Sequence, residues 1–131
     1  MIAEHAAVYL DALTVTGVTV RDQPVDPEQP PDLPYLVVYI SVTTPEATSL
    51  EETADRVQAD AIVHAVGLTT DSCRVVTGLV WSALLGLRPQ ITARDCGPIR
   101  LIDDRPADAD QSTGRAVLDE VTVWRFVSLP A

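Results

Sequence analysis

Residues 64 to 76, HAVGLTTDSCRVV, bring the reactive side-chain types of this 131-residue chain closest together. His64 closes an apolar run, Gly67 follows, and Thr69, Thr70, Asp71, Ser72 and Cys73 arrive in sequence. A strand, a glycine turn and a helix start is where many α/β enzymes hold a nucleophile or bind an anion on helix amides. A cysteine there works as a thiolate when a histidine takes its proton and a third group orients that histidine. No third group stands at an identifying distance from His64. Cys73 falls in the apolar half of the following helix, where cysteine is a small buried hydrophobe. Capping explains the rest: Thr70 accepts from backbone amides as N-cap, and Asp71 suits the positive end of the helix dipole. The stretch reads as punctuation between strand and helix.

The other chemistries fail on spacing too. His5, His64, Cys73 and Cys96 lack the separations of a zinc site. His5 lies at the edge of an apolar helix arc and reads as a surface residue. Asp103 and Asp104 are adjacent, so a strand would point them to opposite faces. There is no Walker loop, no GxGxxG and no GxSxG. No catalytic residue, no cofactor and no metal is expected.

The elements that position these residues come from periodicity. Ile2 to Leu13 is an amphipathic helix, with Glu4 and Asp11 opposite its apolar arc. A turn at Gly17 leads to a short strand at 18 to 21. Five prolines between 24 and 34 then predict an extended surface loop. Tyr35 to Val42 alternates as a strand with neither face polar, so both faces should be covered. The acidic segment 43 to 56 reads as a loop or protruding hairpin. Val57 to Val66 is a third strand, with Ala59, Ala61, Val63 and Ala65 on one face. A helix over 70 to 87 follows, ended by Gly86 and Pro89. Strands are predicted at 99 to 102 and 120 to 129, joined by the polar loop DDRPADADQSTGR. The order gives an α+β fold, two helices packed on a mainly antiparallel β-sheet, in a single domain over 1–131.

On the wheel of the helix over 70 to 87, Cys73, Val75, Val76, Leu79, Val80, Ala83, Leu84 and Leu87 form one apolar half. Trp81 and Leu85 sit on the far side beside Arg74 and Arg88, which is the composition of a protein interface. If that face is not the contact, the Tyr35, Val37 and Tyr39 face of the sheet is the next choice.

Composition excludes whole classes. Hydrophobic residues make up 47% of the chain, which is globular and not disordered. No apolar run reaches the roughly 20 residues of a membrane span, and the N-terminus lacks a basic signal-peptide region, so folding in a cytoplasm is expected. Two cysteines without CxxC spacing give no disulfide framework. A net charge of −10 argues against wrapping nucleic acid but leaves open a surface past which DNA slides.

The order of elements resembles the tail terminator proteins of long-tailed, siphovirus-type bacteriophages. The resemblance is carried by IAEHAAVYLDAL, by YLVVYISV after a proline-rich loop, by VQADAIVHAVGLTTDSCRVVTGLVWSALLGLRP and by the closing DEVTVWRFVSL. It covers nearly the whole chain as a pattern of elements, and the long proline-rich loop departs from it. The resemblance implies a ring, typically hexameric, that caps the tail tube, ends its polymerisation and joins it to the head. The partners implied are further copies of the chain, the tail tube protein and head-completion or neck proteins. DNA would pass through the lumen without specific binding. Such a ring is assembled in the host bacterial cytoplasm and sits in the virion at the tail–head junction. The acidic residues Glu46, Glu51, Glu52 and Asp55, with Asp103, Asp104, Asp108 and Asp110, would then face the lumen or the tail joint. Two alternatives stay open: another neck or joining ring protein, and a small ligand-binding domain or enzyme.

Overall fold

A computed structural model describes residues 2–22, 29, 31–44, 56–110 and 117–131. The elements follow in the order α1 (Ile2–Thr14), β1 (Thr19–Arg21), β2 (Tyr35–Thr43), β3 (Val57–Gly67), α2 (Thr70–Leu84), β4 (Arg94–Cys96), β5 (Arg100–Asp110) and β6 (Val117–Pro130). The six strands form one sheet ordered β1-β2-β3-β6-β4, with β5 also pairing β6. Among the described residues, β1 and β2 run parallel and every other pair is antiparallel. The fold is α+β, two helices on a mainly antiparallel sheet, as the periodicity predicts.

Both helices lie on one face. The register sets Leu36, Val38, Ile40 and Val42 of β2 beside Ala65, Val63, Ala61 and Ala59 of β3. Ala61 and Ala59 in turn lie beside Trp124 and Phe126 of β6. Tyr9 and Leu13 of α1 and Val76, Val80 and Leu84 of α2 close this core from above. The alanines let α1 come near enough for the Tyr9 hydroxyl to donate to the Ala59 carbonyl at 2.7 Å. Small side chains under a helix therefore serve close approach, as β3 suggested.

His5 departs from its expected place. It is fully buried, stacked on Phe126 with ring centroids 5.8 Å apart, and its Nε2 lies 2.7 Å from Ser128 Oγ. His5, Tyr9 and Leu13 are spaced by four, so all three fall on the buried stripe of α1. A histidine can occupy such a stripe when its ring nitrogen finds a partner, and Ser128 is that partner.

The cap of α2 is Thr69, one residue before the expected Thr70; its hydroxyl accepts from the Ser72 amide at 3.1 Å. Gly67 has a steric role. A Cβ there would stand 3.0 Å from Ser72 Oγ and 3.2 Å from both Cys73 N and Cys73 Sγ. A side chain there would crowd the first turn of α2, so glycine suits the close passage of the end of β3. The helix stops at Leu84, earlier than predicted, and Leu85 is extended. Gly86, at φ 78°, turns the chain so that its amide donates to the Ile99 carbonyl.

The segment from 103 to 110, expected as a polar loop, is strand. β5 runs beside β6 with irregularities between Leu101 and Asp103 and between Arg105 and Asp108. It is an edge strand, so one side needs no apolar alternation and Pro106 removes no ladder bond on its free side. β4 was not anticipated either; three residues carry no period. Residues 45–55 of the acidic hairpin expected over 43 to 56, and residues 23–28 and 30 of the proline-rich segment, lie outside the described residues.

Candidate functional site

The sheet separates the two residues that raised the possibility of catalysis. Cys73 is fully buried under α2, and its thiol donates to the Leu118 carbonyl at 3.4 Å. Burial pushes the Cys73 thiol up from its ordinary value, away from the thiolate. His64 lies across from Val37 and Val121, on the face away from the helices. Its Nδ1 is 2.7 Å from Asp119 Oδ2, and Tyr39 meets its ring edge-on at 5.4 Å. A Cys73–His64 dyad is therefore not formed. Among the described residues, no three His, Cys, Asp or Glu side chains converge as a metal site.

The polar contacts that do form were invisible in sequence, because each joins residues far apart in the chain. Arg125 grips Asp60 with two bonds, Nε to Oδ1 at 2.8 Å and Nη2 to Oδ2 at 3.2 Å. Arg94 donates to both Oγ and the carbonyl of Ser128, so Ser128 ties β4 to His5 of α1. Glu120 lies nearly buried on the helix side of β6. Loss of hydration raises its carboxyl pKa above the usual carboxylate range, with Asp104 adding to the rise and Thr77 and Arg74 opposing it. An open groove of about 650 Å³ lies between Glu4, Val8 and Asp11 of α1 and the segment from Gln90 to Arg94. Its arginine is the one held on Ser128.

The surfaces expected to meet other subunits are partly rearranged. Trp81 does not face away from the core. It packs against the core cluster and stands edge-on to Trp124, with ring centroids 6.0 Å apart. The buried arc of α2 is Cys73, Val76, Thr77, Val80 and Leu84, turned toward Trp81 and away from Val75. Val75 and Leu79, placed in the core by the wheel, are exposed to 66% and 39%. The cause is that a wheel finds an apolar sector but not its centre when apolar residues fill more than half the circle. Leu85 is exposed but lies past the helix end. Arg74 is exposed beside Asp71 at 3.6 Å, and Arg88 donates to the Cys96 carbonyl at 3.0 Å.

On the sheet, Tyr35 and Val37 are buried with Val66, Val117 and Leu33, while Tyr39 is exposed to 42%. Among the described residues, the face away from the helices is not covered beyond Val37. Tyr39, Ile62 and Val123 form one transverse row on the face away from the helices. Ile62 is exposed to 40% and Val123 is half-buried. The His64–Asp119 hydrogen bond and the Asp60–Arg125 ion pair flank that row on either side. Asp103, Asp104 and Asp108 are exposed along β5, and Asp110 ends that strand. Glu46, Glu51, Glu52 and Asp55 lie outside the described residues.

No protein-family model matches the chain, and no curated protein matches it in sequence. Its fold does have a match among solved structures: a chain described as "Virion of native gene transfer agent (GTA) particle" superimposes with a TM-score of 0.65. The match covers 95% of this chain and 92% of the other at 14% identity. What the two share is the fold, over nearly the full length of both.

Proposed function

We propose that this chain is a virion structural protein of a tailed phage or phage-like particle: a tail terminator. Six copies form a ring that caps the tail tube, ends its polymerisation and offers a surface to the head-completion or neck proteins. The observation that carries this reading is the near full-length likeness to a chain of a gene transfer agent virion. A virion structural protein is also the broader class to which the order of elements pointed. Cys73 and His64 stand on opposite sides of the sheet, so they do not form the dyad weighed from the sequence. The ring needs no catalytic group and no cofactor. Of the interface residues expected from sequence, Arg74, Leu85 and Tyr39 are exposed and available. Asp103, Asp104 and Asp108, with the net charge of −10, keep the passing duplex from adhering.

The same fold would serve another neck or joining ring protein, and loss of function separates the two. Particles made without a terminator should carry tails of uncontrolled length. Particles made without a joining protein should carry tails of normal length that stay apart from heads. Electron microscopy of such particles, with the ring located by labelled antibody, decides between them. A diffuse label over capsid or baseplate would end both readings.

A further inference from the structure

Two apolar surfaces of the chain are left without an intrachain partner among the described residues, and they lie on opposite sides of the molecule. One is the uncovered sheet face centred on the Tyr39–Ile62–Val123 row. The other is the outward stripe of α2, where Val75, Gly78, Leu79 and Ser82 all face solvent. Gly78 has an unusual place there. Glycine is the poorest helix former after proline, and a Cβ at position 78 would meet nothing within 4 Å. Among the described residues nothing requires glycine at that point, and the open space would admit the close approach of another chain.

The two surfaces also match in pitch. Four helical residues advance about 6 Å, and two strand residues advance about 6.7 Å. With Leu79 and Gly78 over the Ile62–Val123 row, Val75 falls over His64 and Val121, and Ser82 falls over the Asp60–Arg125 pair. Arg74 then reaches toward the Asp108–Asp119 row. Asp108 and Asp119 are register partners across β5 and β6, two acidic residues side by side, and only Oδ2 of Asp119 is engaged, by His64 at 2.7 Å. Asp119 Oδ1 is also buried without a hydrogen-bond partner. An arginine brought by a second molecule would complement these two acidic residues.

We infer that the ring is built by seating the Val75–Gly78–Leu79 stripe of α2 from one copy on the Tyr39–Ile62–Val123 face of the next, with Arg74 opposite the Asp108–Asp119 row. The inference rests on the ring function proposed above and names the surfaces that make it. Because the stripe and the sheet face are different surfaces, the contact is head-to-tail, the kind that closes into a ring when the rotation between copies allows.

Three single variants test this: Ile62→Asp on the sheet face, and Val75→Asp and Gly78→Leu on the stripe. Each would be followed by mass in solution and electron microscopy, with circular dichroism and thermal melts to confirm folding. Wild type should form rings, and each variant should be a folded monomer. An equimolar mixture of Ile62→Asp and Val75→Asp should give dimers and no rings, since one intact pair of surfaces survives. If Ile62→Asp abolishes assembly while Val75→Asp and Gly78→Leu still assemble, the sheet face meets itself and the pairing is overturned. Rings from all three variants that no longer bind tail tube protein would assign the surfaces to that partner, again overturning the pairing. Should the aspartate variants misfold, Gly78→Leu decides alone, because its site is open within the chain. A wild type that never forms rings, alone or with tube protein, overturns the ring function itself.

Discussion

Glu120 shows how one buried carboxyl links pH to stability. Its pKa is raised in the folded chain, chiefly by lost hydration and then by Asp104. The folded state therefore holds the proton more tightly than the unfolded state, where glutamate titrates at about 4.3. Its contribution is most favourable below that value and falls as pH rises through the higher folded pKa. Glu120→Gln should flatten this fall, so urea midpoints should favour the variant at pH 7.5 and converge with wild type near pH 4. A variant less stable than wild type at both values would mean that the charge is held by partners. Cys73 makes a second residue-scale case. Being fully buried with a raised pKa, it should resist alkylation in native protein and react at once in urea. Cys73→Ser should leave assembly intact, since a hydroxyl there can still donate to the Leu118 carbonyl. Rapid native labelling with loss of assembly would return Cys73 to the list of working residues.

Among the elements, α2 separates residues that composition alone treats as a pair. Trp81 packs on Trp124 and the core cluster, whereas Leu85 is exposed past the helix end. Trp81→Ala should cost roughly 2–3 kcal/mol of stability, below the range of about 3–5 kcal/mol for a fully buried aromatic because the ring is only half-buried. Leu85→Ala should stay within about 0.5 kcal/mol. Chemical denaturation of the two single variants measures the difference directly. Equal, small effects would place Trp81 on the surface and restore the far-side face read from the wheel. The rotation was beyond the wheel because Val75 and Leu79 are as apolar as Val76 and Val80. Which of them meets the sheet depends on how Gly67 and the Thr69 cap launch the helix from β3.

At the scale of the whole molecule, β5 is the acidic edge of the sheet. Asp103, Asp104 and Asp108 are exposed on it, and the Asp103–Arg105 pair at 3.1 Å is itself solvent-facing. Replacing Asp103, Asp104, Asp108 and Asp110 together with asparagine should spare folding, since exposed pairs contribute about 0–1 kcal/mol. Removing Asp104 also eases the strain on Glu120. In the proposed ring the same change should impair DNA passage or tail joining, read as infectivity and as the fraction of tails bearing heads. Unchanged infectivity, with a matching neutralisation of Glu46, Glu51, Glu52 and Asp55 equally silent, would show that acidic surface has no part in the function.

The sequence by itself determined the α+β class, both helices and the three strands nearest the core. These follow from local period, because a buried strand or helix must repeat its apolar residues at 2 or 3.6. It missed β4 and most of β5, since a three-residue strand has no period and an edge strand needs no apolar one. Tertiary structure decided the rest. His5 is buried because Ser128, over a hundred residues away, supplies its partner. The His64–Asp119 and Asp60–Arg125 pairs exist only through the register of β3 on β6. The uncovered Tyr39–Ile62–Val123 row likewise depends on which face both helices chose. Local sequence fixes which residues can be buried together; only the packed sheet decides which apolar surface is left over for another chain.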